Sequence, residues 1–192
     1  MTKSVDYYFT PTSPWTYLGH ARFADIAQRR GAAVAVKPVD YGVIFPQSGG
    51  LPLGRRAPQR QAYRLTELAR WRDFLGIPLN LQPRFFPADP ISAACVICAA
   101  PPDEQLAIAG AFLRAVWVEE RNIADIGELT AIAARHGIAD APAAIVRGKA
   151  IFECNTQEAL TRQVFGAPTY ALRDELFWGQ DRLEFLDRAL SK

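Results

Sequence analysis

Residues 5–18 read Val-Asp-Tyr-Tyr-Phe-Thr-Pro-Thr-Ser-Pro-Trp-Thr-Tyr-Leu, and the reading of this stretch decides the fold. Val5 to Phe9 is aromatic and β-branched, the composition of a short strand. Pro11 breaks it, and Ser13-Pro14 restarts the chain as a helix: a serine hydroxyl caps orphan N–H groups, and proline suits the first helical position. Ser13 thus stands where a strand hands over to a helix N-terminus. Unpaired N–H groups and the positive end of the helix dipole converge there, a place that binds anions and stabilises thiolates. Taken alone, the Ser-Pro pair marks a helix cap and no more.

Working outward, Trp15 to Arg30 has a helical apolar stripe of Leu18, Phe23, Ile26 and Ala27, closed by Gly31. Ala32 to Val39 follows as a short buried strand, so the first forty residues form a β-α-β unit with parallel strands. Tyr41 to Ala57 is dense in glycine and proline and is predicted to be a long irregular loop, the wall or lid of a site, with Phe45 and Leu51 either its apolar contacts or simple surface packing. Pro58 to Leu75 is predicted helical. Arg56, Arg60 and Arg64 lie one turn apart and share a face. They form either a solvated face or a cationic clamp for a carboxylate, since arginine offers a planar donor fork. Gly76 to Pro87 is a proline-bounded loop whose aromatics, Phe85 and Phe86, either pin it to the core or line a pocket for a flat ligand.

Three more helices are expected at Ser92 to Ala100, Pro102 to Glu120 and Asp125 to His136, with weaker helical segments at Asp140 to Gly148 and Cys154 to Gln163. The chain then changes character. Phe165 to Leu172 reads as a turn into a strand, Arg173-Asp174 as a tight turn and Glu175 to Trp178 as a second strand of an antiparallel hairpin. Pro168 cannot donate to a sheet ladder and belongs at the strand's start, where a cis bond suits a tight approach. Gly179 to Arg182 opens a last helix, Leu183 to Leu190.

Composition sets the bounds. At 192 residues the chain is one compact unit or one domain with an insertion. Apolar residues make up 49%, charged residues 22% and the net charge is +2, which gives no reason to expect nucleic acid or an anionic membrane as partner. The longest uncharged apolar run, Ile91 to Pro102, is too short to span a bilayer. Met1 to Asp6 lacks the apolar stretch of a secretory signal, so a cytoplasmic protein is expected. Cys95, Cys98 and Cys154 give an odd count and no disulfide framework. Cys95-Val96-Ile97-Cys98 spells C-x-x-C, but it lies mid-helix rather than at a helix start, and both thiols read as packing residues. His20 and His136 stand alone, so no metal site is expected.

Three stretches carry a resemblance: Tyr8-Phe-Thr-Pro-Thr-Ser-Pro-Trp-Thr-Tyr17, Val164-Phe-Gly-Ala-Pro-Thr-Tyr170 and Phe177-Trp-Gly-Gln-Asp-Arg182, with Leu79-Asn80 and Phe85-Phe86-Pro87 matching more loosely. In their order, a β-α-β unit, a helical insertion, a proline-led hairpin and a terminal helix, the chain resembles the α/β thioredoxin-like fold of the DsbA type. Within it, the chain resembles the 2-hydroxychromene-2-carboxylate isomerases and the related kappa-class glutathione transferases. The expected division is a thioredoxin-like domain of residues 1–42 and 150–192 around a helical insertion, 43–149. Serine stands at position 13, where redox relatives carry the first cysteine of C-x-x-C, and a hydroxyl cannot form a mixed disulfide.

The resemblance implies glutathione as cofactor, its thiolate accepting a hydrogen bond from Ser13, its backbone pairing at Ala167 ahead of a cis Pro168, and its γ-glutamyl end at Trp178, Gly179, Gln180 and Asp181. It implies an aromatic carboxylate substrate near Phe45, Arg56, Arg60, Asn80 and Phe86, and a homodimer. The implied reaction is the glutathione-dependent interconversion of 2-hydroxychromene-2-carboxylate and trans-o-hydroxybenzylidenepyruvate. A kappa-like transferase or peroxidase using the same serine, and a non-catalytic module binding a partner at the hairpin edge, are the alternatives.

Overall fold

The computed structural model describes residues 3–192. Strand β1 (Ser4–Phe9) leads into helix α1 (Pro14–Arg30) and strand β2 (Ala33–Pro38). Strands β3 (Thr169–Leu172) and β4 (Glu175–Trp178) form the late hairpin. The four make one sheet in the order β2-β1-β3-β4, with β1 and β2 parallel and the other pairs antiparallel. Between them run α2 (Tyr41–Ser48), a 3₁₀ turn at Leu53–Arg55, α3 (Pro58–Leu75), α4 (Ile91–Ala99), α5 (Gln105–Trp117), α6 (Ile126–Ala134) and α7 (Ala141–Thr161). A 3₁₀ turn at Gln180–Arg182 runs into α8 (Leu183–Leu190). No helix among the described residues is long and apolar enough to cross a membrane.

Strand alternation divides β1 between two cores. Val5, Tyr7 and Phe9 face the larger one, where Tyr7 stacks on Phe9 at 4.5 Å and on Tyr170 at 5.3 Å, with Phe23 of α1 against both tyrosines. His20 ties α1 to α5: its Nε2 lies 3.1 Å from the Leu106 carbonyl and its Nδ1 3.2 Å from the Tyr7 hydroxyl. A carbonyl only accepts, so Nε2 carries the proton and Nδ1 accepts from Tyr7. Burial pushes this imidazole down to about 4 and keeps it neutral.

On the other face, Tyr8 joins a small cluster with Val39, Tyr41 and Ile44, and its hydroxyl donates to Glu158 of α7 at 2.6 Å. Lys37 donates to the same carboxylate at 2.6 Å and lies 3.0 Å from Asp6, which also meets Arg162. Burial alone raises the Glu158 carboxyl, but donation from Lys37 and Tyr8 outweighs it and holds the group below its ordinary 4.5. Burial likewise lowers Lys37, yet Glu158 and Asp6 hold it above 10.5. The depressed carboxyl stabilises the fold above pH 4.5, and that part is lost as pH falls through its folded value; the raised ammonium stabilises below pH 10.5, and that part is lost as pH rises through its own. Lys37→Met is therefore expected to flatten both the acid and the alkaline limb of melting temperature against pH. Unchanged limbs would contradict the linkage.

Two sequence expectations are corrected. Tyr41 to Ala57 is not an irregular loop but α2 followed by a 3₁₀ turn. The Asp40 carboxylate caps α2 by accepting the Gly42 N–H at 2.7 Å, and Gly49 ends it in the left-handed conformation. Nor is this segment a free lid at its start: Tyr41 donates to the Gly166 carbonyl at 2.8 Å, and Asp40 N–H to Thr156. The two weak helical segments expected on either side of residues 149–153 are one continuous helix, α7. Gly148 does not interrupt it. It lies against the backbone of α4 at Cys95, where a Cβ would overlap the carbonyl oxygen. The small residues of α4, Ala94, Cys95 and Cys98, allow this approach, and Phe152 and Asn155 of α7 pack on them. Burial pushes the Cys98 thiol up to about 12, so it stays protonated and inert.

Candidate functional site

The sheet register brings one end of three strands together. Tyr8 pairs with Thr169, and Thr169 with Trp178. β1 therefore ends, β3 begins and β4 ends along a single rim, and Ser13, Pro168 and Gly179 all belong to it. The Ala167-Pro168 bond is cis. The Pro168 carbonyl accepts the Gly179 N–H at 2.9 Å and so fastens the start of the last helical turn to the start of β3.

Ser13 is the N-cap of α1 in extended conformation, with Pro14 following as first helical residue. Its Oγ accepts the Thr16 N–H at 3.2 Å, while its own O–H has no acceptor among the described residues. The hydroxyl proton is therefore free to serve a ligand at the positive end of a 17-residue helix. Thr16, three places on, was not anticipated: it occupies the second cysteine position of C-x-x-C, and its Oγ1 is buried with no partner among the described residues. The spacing from Ser13 was the signal available. With hydroxyls at both places, this turn carries no sulfur.

Gln180 lies beside α1: its Oε1 accepts from Arg22 at 2.8 Å, and its Cβ faces Gly19 so closely that a side chain there would collide. The N–H groups of Gln180 and Asp181 open the turn that leads into α8, where the first N–H groups lack partners within the helix. The Asp181 carboxylate folds over Gly179, whose φ of 104° and lack of a Cβ admit it, and accepts from Arg182 at 2.7 Å. Trp178, half exposed, lies across Gly166 and meets Phe165 edge-on at 4.7 Å. Ser13, Ala167, Pro168, Trp178, Gly179, Gln180 and Asp181 thus gather on one rim. Phe45 joins them from α2, packed with Ala167 on the small core that holds Tyr8.

The remaining candidates spread from the end of the 3₁₀ turn, at Arg56, through α3 to the segment after it. Tyr17, one turn into α1 from Ser13, donates to the Pro78 carbonyl at 2.6 Å and holds the 76–90 segment against that helix. Asn80 donates its backbone N–H to the Trp117 carbonyl and its amide to Val118, so it fastens the end of α5. Phe86 meets the Trp117 ring at 4.8 Å. Arg56 donates to the Leu51 carbonyl at 2.8 Å, and Arg60 is exposed. Two hollows of about 200 Å³ lie elsewhere, one beside Lys3 and Lys192 and one beside Arg135 and His136. Neither is lined by any of the candidate site residues.

Residues 4–191 match the DSBA-like thioredoxin domain family. A 2-hydroxychromene-2-carboxylate isomerase of Sphingobium xenophagum is 31% identical to this chain over 99% of both lengths. The solved structure of a selenomethionine 2-hydroxychromene-2-carboxylate isomerase superposes with a TM-score of 0.80 at 28% identity, covering 98% of this chain and 94% of its own. The fold alone is shared with the cytosolic disulfide reductase DsbM of Pseudomonas aeruginosa, solved with GSH: TM-score 0.69 at 20% identity, covering 98% of this chain and all of DsbM.

Proposed function

The chain belongs to the DSBA-like thioredoxin domain family, among the 2-hydroxychromene-2-carboxylate isomerases, and from that membership we propose that it is a glutathione-dependent isomerase acting on a ring-opened aromatic carboxylate. The observation that carries this reading is Ser13: a buried cap whose Oγ is engaged and whose O–H is unclaimed, on the rim shared with Pro168 and Gly179. When bound, glutathione supplies a thiolate that adds reversibly to a conjugated carbon of the substrate, turning a fixed double bond into a rotating single bond.

Every other part belongs to the protein. Ser13 donates its hydroxyl proton to the sulfur, and the α1 dipole favours the anion. Ala167, with its neighbour Pro168, offers backbone for strand-like pairing to a peptide. Asp181 holds an ammonium, and the Gln180 and Asp181 N–H groups hold a carboxylate, under the flat cover of Trp178. Phe45 from α2 and Phe86 from the 76–90 segment are the apolar contacts for the aromatic substrate, and Asn80 fastens that segment to the end of α5. Arg56 and Arg60 add positive charge that attracts an anionic substrate.

Turnover of 2-hydroxychromene-2-carboxylate, followed by absorbance with and without glutathione, tests the proposal. A rate that saturates with glutathione while its concentration stays constant is expected; turnover independent of glutathione overturns the assignment, and stoichiometric consumption reassigns it to a transferase. Asp181→Ala is expected to weaken glutathione binding about tenfold or more, enough to abolish most of its thermal stabilisation near saturation.

A further inference from the structure

Arg64 has a feature that neither the fold nor the proposed thiol chemistry uses. The residue is 9% exposed, yet its Nη2 is buried with no hydrogen-bond partner among the described residues. The ion pairs on α3 are made by Arg70 with Glu67 and by Arg72 with Asp73; Arg64 makes none among the described residues. Its guanidinium lies 5.2 Å from the Phe86 ring centre and 5.7 Å from that of Trp117. The Trp117 indole N–H is itself buried and unpartnered. Two donors on touching side chains thus lack an acceptor. Burial and the nearby Arg56 charge push the guanidinium down to about 10, the direction expected of a cation with no counter-charge.

A buried cation without a counter-ion is costly, and aromatic faces offset only part of the cost. The missing partner is an acceptor that is anionic, planar and able to take two parallel N–H bonds, and its remainder must suit an aromatic wall. We propose that Arg64, with the Trp117 indole N–H and the Phe86 ring, is the receptor for the carboxylate of a flat conjugated substrate, and that it selects such acids over neutral analogues. This rests on the isomerase reading for its role in turnover, but not for the binding itself. The segment bearing Asn80 and Phe86 is held to α1 through Tyr17 and Pro78, one turn along that helix from Ser13.

The test uses Arg64→Met, which keeps the length and packing of the stem, and Arg64→Lys, which keeps charge but loses the fork. Salicylate is titrated calorimetrically as an aryl carboxylate, with salicylamide as its uncharged counterpart. Arg64→Met is expected to weaken salicylate binding and to raise KM for the chromene carboxylate at least about tenfold, with Arg64→Lys intermediate and salicylamide unaffected. The glutathione Kd and kcat should stay within about twofold, and the melting temperature of Arg64→Met should hold or rise, because an uncompensated buried charge has gone. Unchanged salicylate affinity, with or without a fall in melting temperature, overturns the proposal. So does a rise in the glutathione Kd alone, which would assign the arginine to a carboxylate of glutathione. If the chain binds salicylate through Arg64 yet shows no glutathione-dependent turnover, the isomerase reading fails and this one stands.

Discussion

Replacing Ser13 with alanine is expected to lower glutathione-dependent turnover by about a hundredfold and to raise the pKa of the bound thiol by about one to two units. The second figure follows from the donor that is lost. A hydrogen bond to a charged group contributes about 1.5–3 kcal/mol, and one pKa unit corresponds to about 1.4 kcal/mol. The first adds the loss of a preorganised donor where charge changes during reaction, a change that costs about 10²–10³ in rate in comparable sites. The substitution also removes the acceptor for the Thr16 N–H, a cap worth about 1 kcal/mol, so some fall in melting temperature accompanies it. Ser13→Thr separates the effects, because threonine keeps both cap and hydroxyl and should restore the low thiol pKa. Thiolate absorbance of the bound tripeptide against pH is the direct measurement. A titration identical in wild type and Ser13→Ala would remove serine from the mechanism.

Gly148→Ala is the second large effect, and here the sign alone is informative. Alanine in place of glycine inside a helix ordinarily stabilises by about 0.5–1 kcal/mol. At this position the added Cβ overlaps the Cys95 carbonyl, which belongs to backbone and cannot swing away. Overpacking of this kind costs about 1–3 kcal/mol, more where the neighbour is rigid. Packing outweighs propensity, so urea and thermal unfolding should show a clear loss of stability. A stabilised variant would mean that α4 and α7 are not in contact at this point.

What the chain discloses in advance is its local chemistry. The Val5–Phe9 strand, the Ser13-Pro14 start, the Gly31 stop and the proline-led hairpin all rest on neighbours in sequence, and each stands where it was expected. Helix α2 was hidden because its glycines and Pro46 suggest a loop, whereas its hold is the burial of Tyr41 and Ile44 and a hydrogen bond to Gly166, far along the chain. Gly148 misled for the same reason: the cause of a glycine there lies in α4. The row of Arg56, Arg60 and Arg64 was legible as a row. That Arg60 meets water while Arg64 is sealed against two aromatic rings depends on how α3 rolls onto α5 and the 76–90 segment, and no periodicity encodes that roll. Trp117 gave no signal beyond being one more apolar residue on α5.

Helix α7 packs on α4, α6, α2 and β2. Its 21 residues make a rod about 30 Å long. That rod ties these four elements to one another, so a hinge motion between them is expected to require breaking helical turns. A ligand that reaches the neighbouring rim is therefore expected to be admitted by side-chain movement, with the helices around it moving as one body.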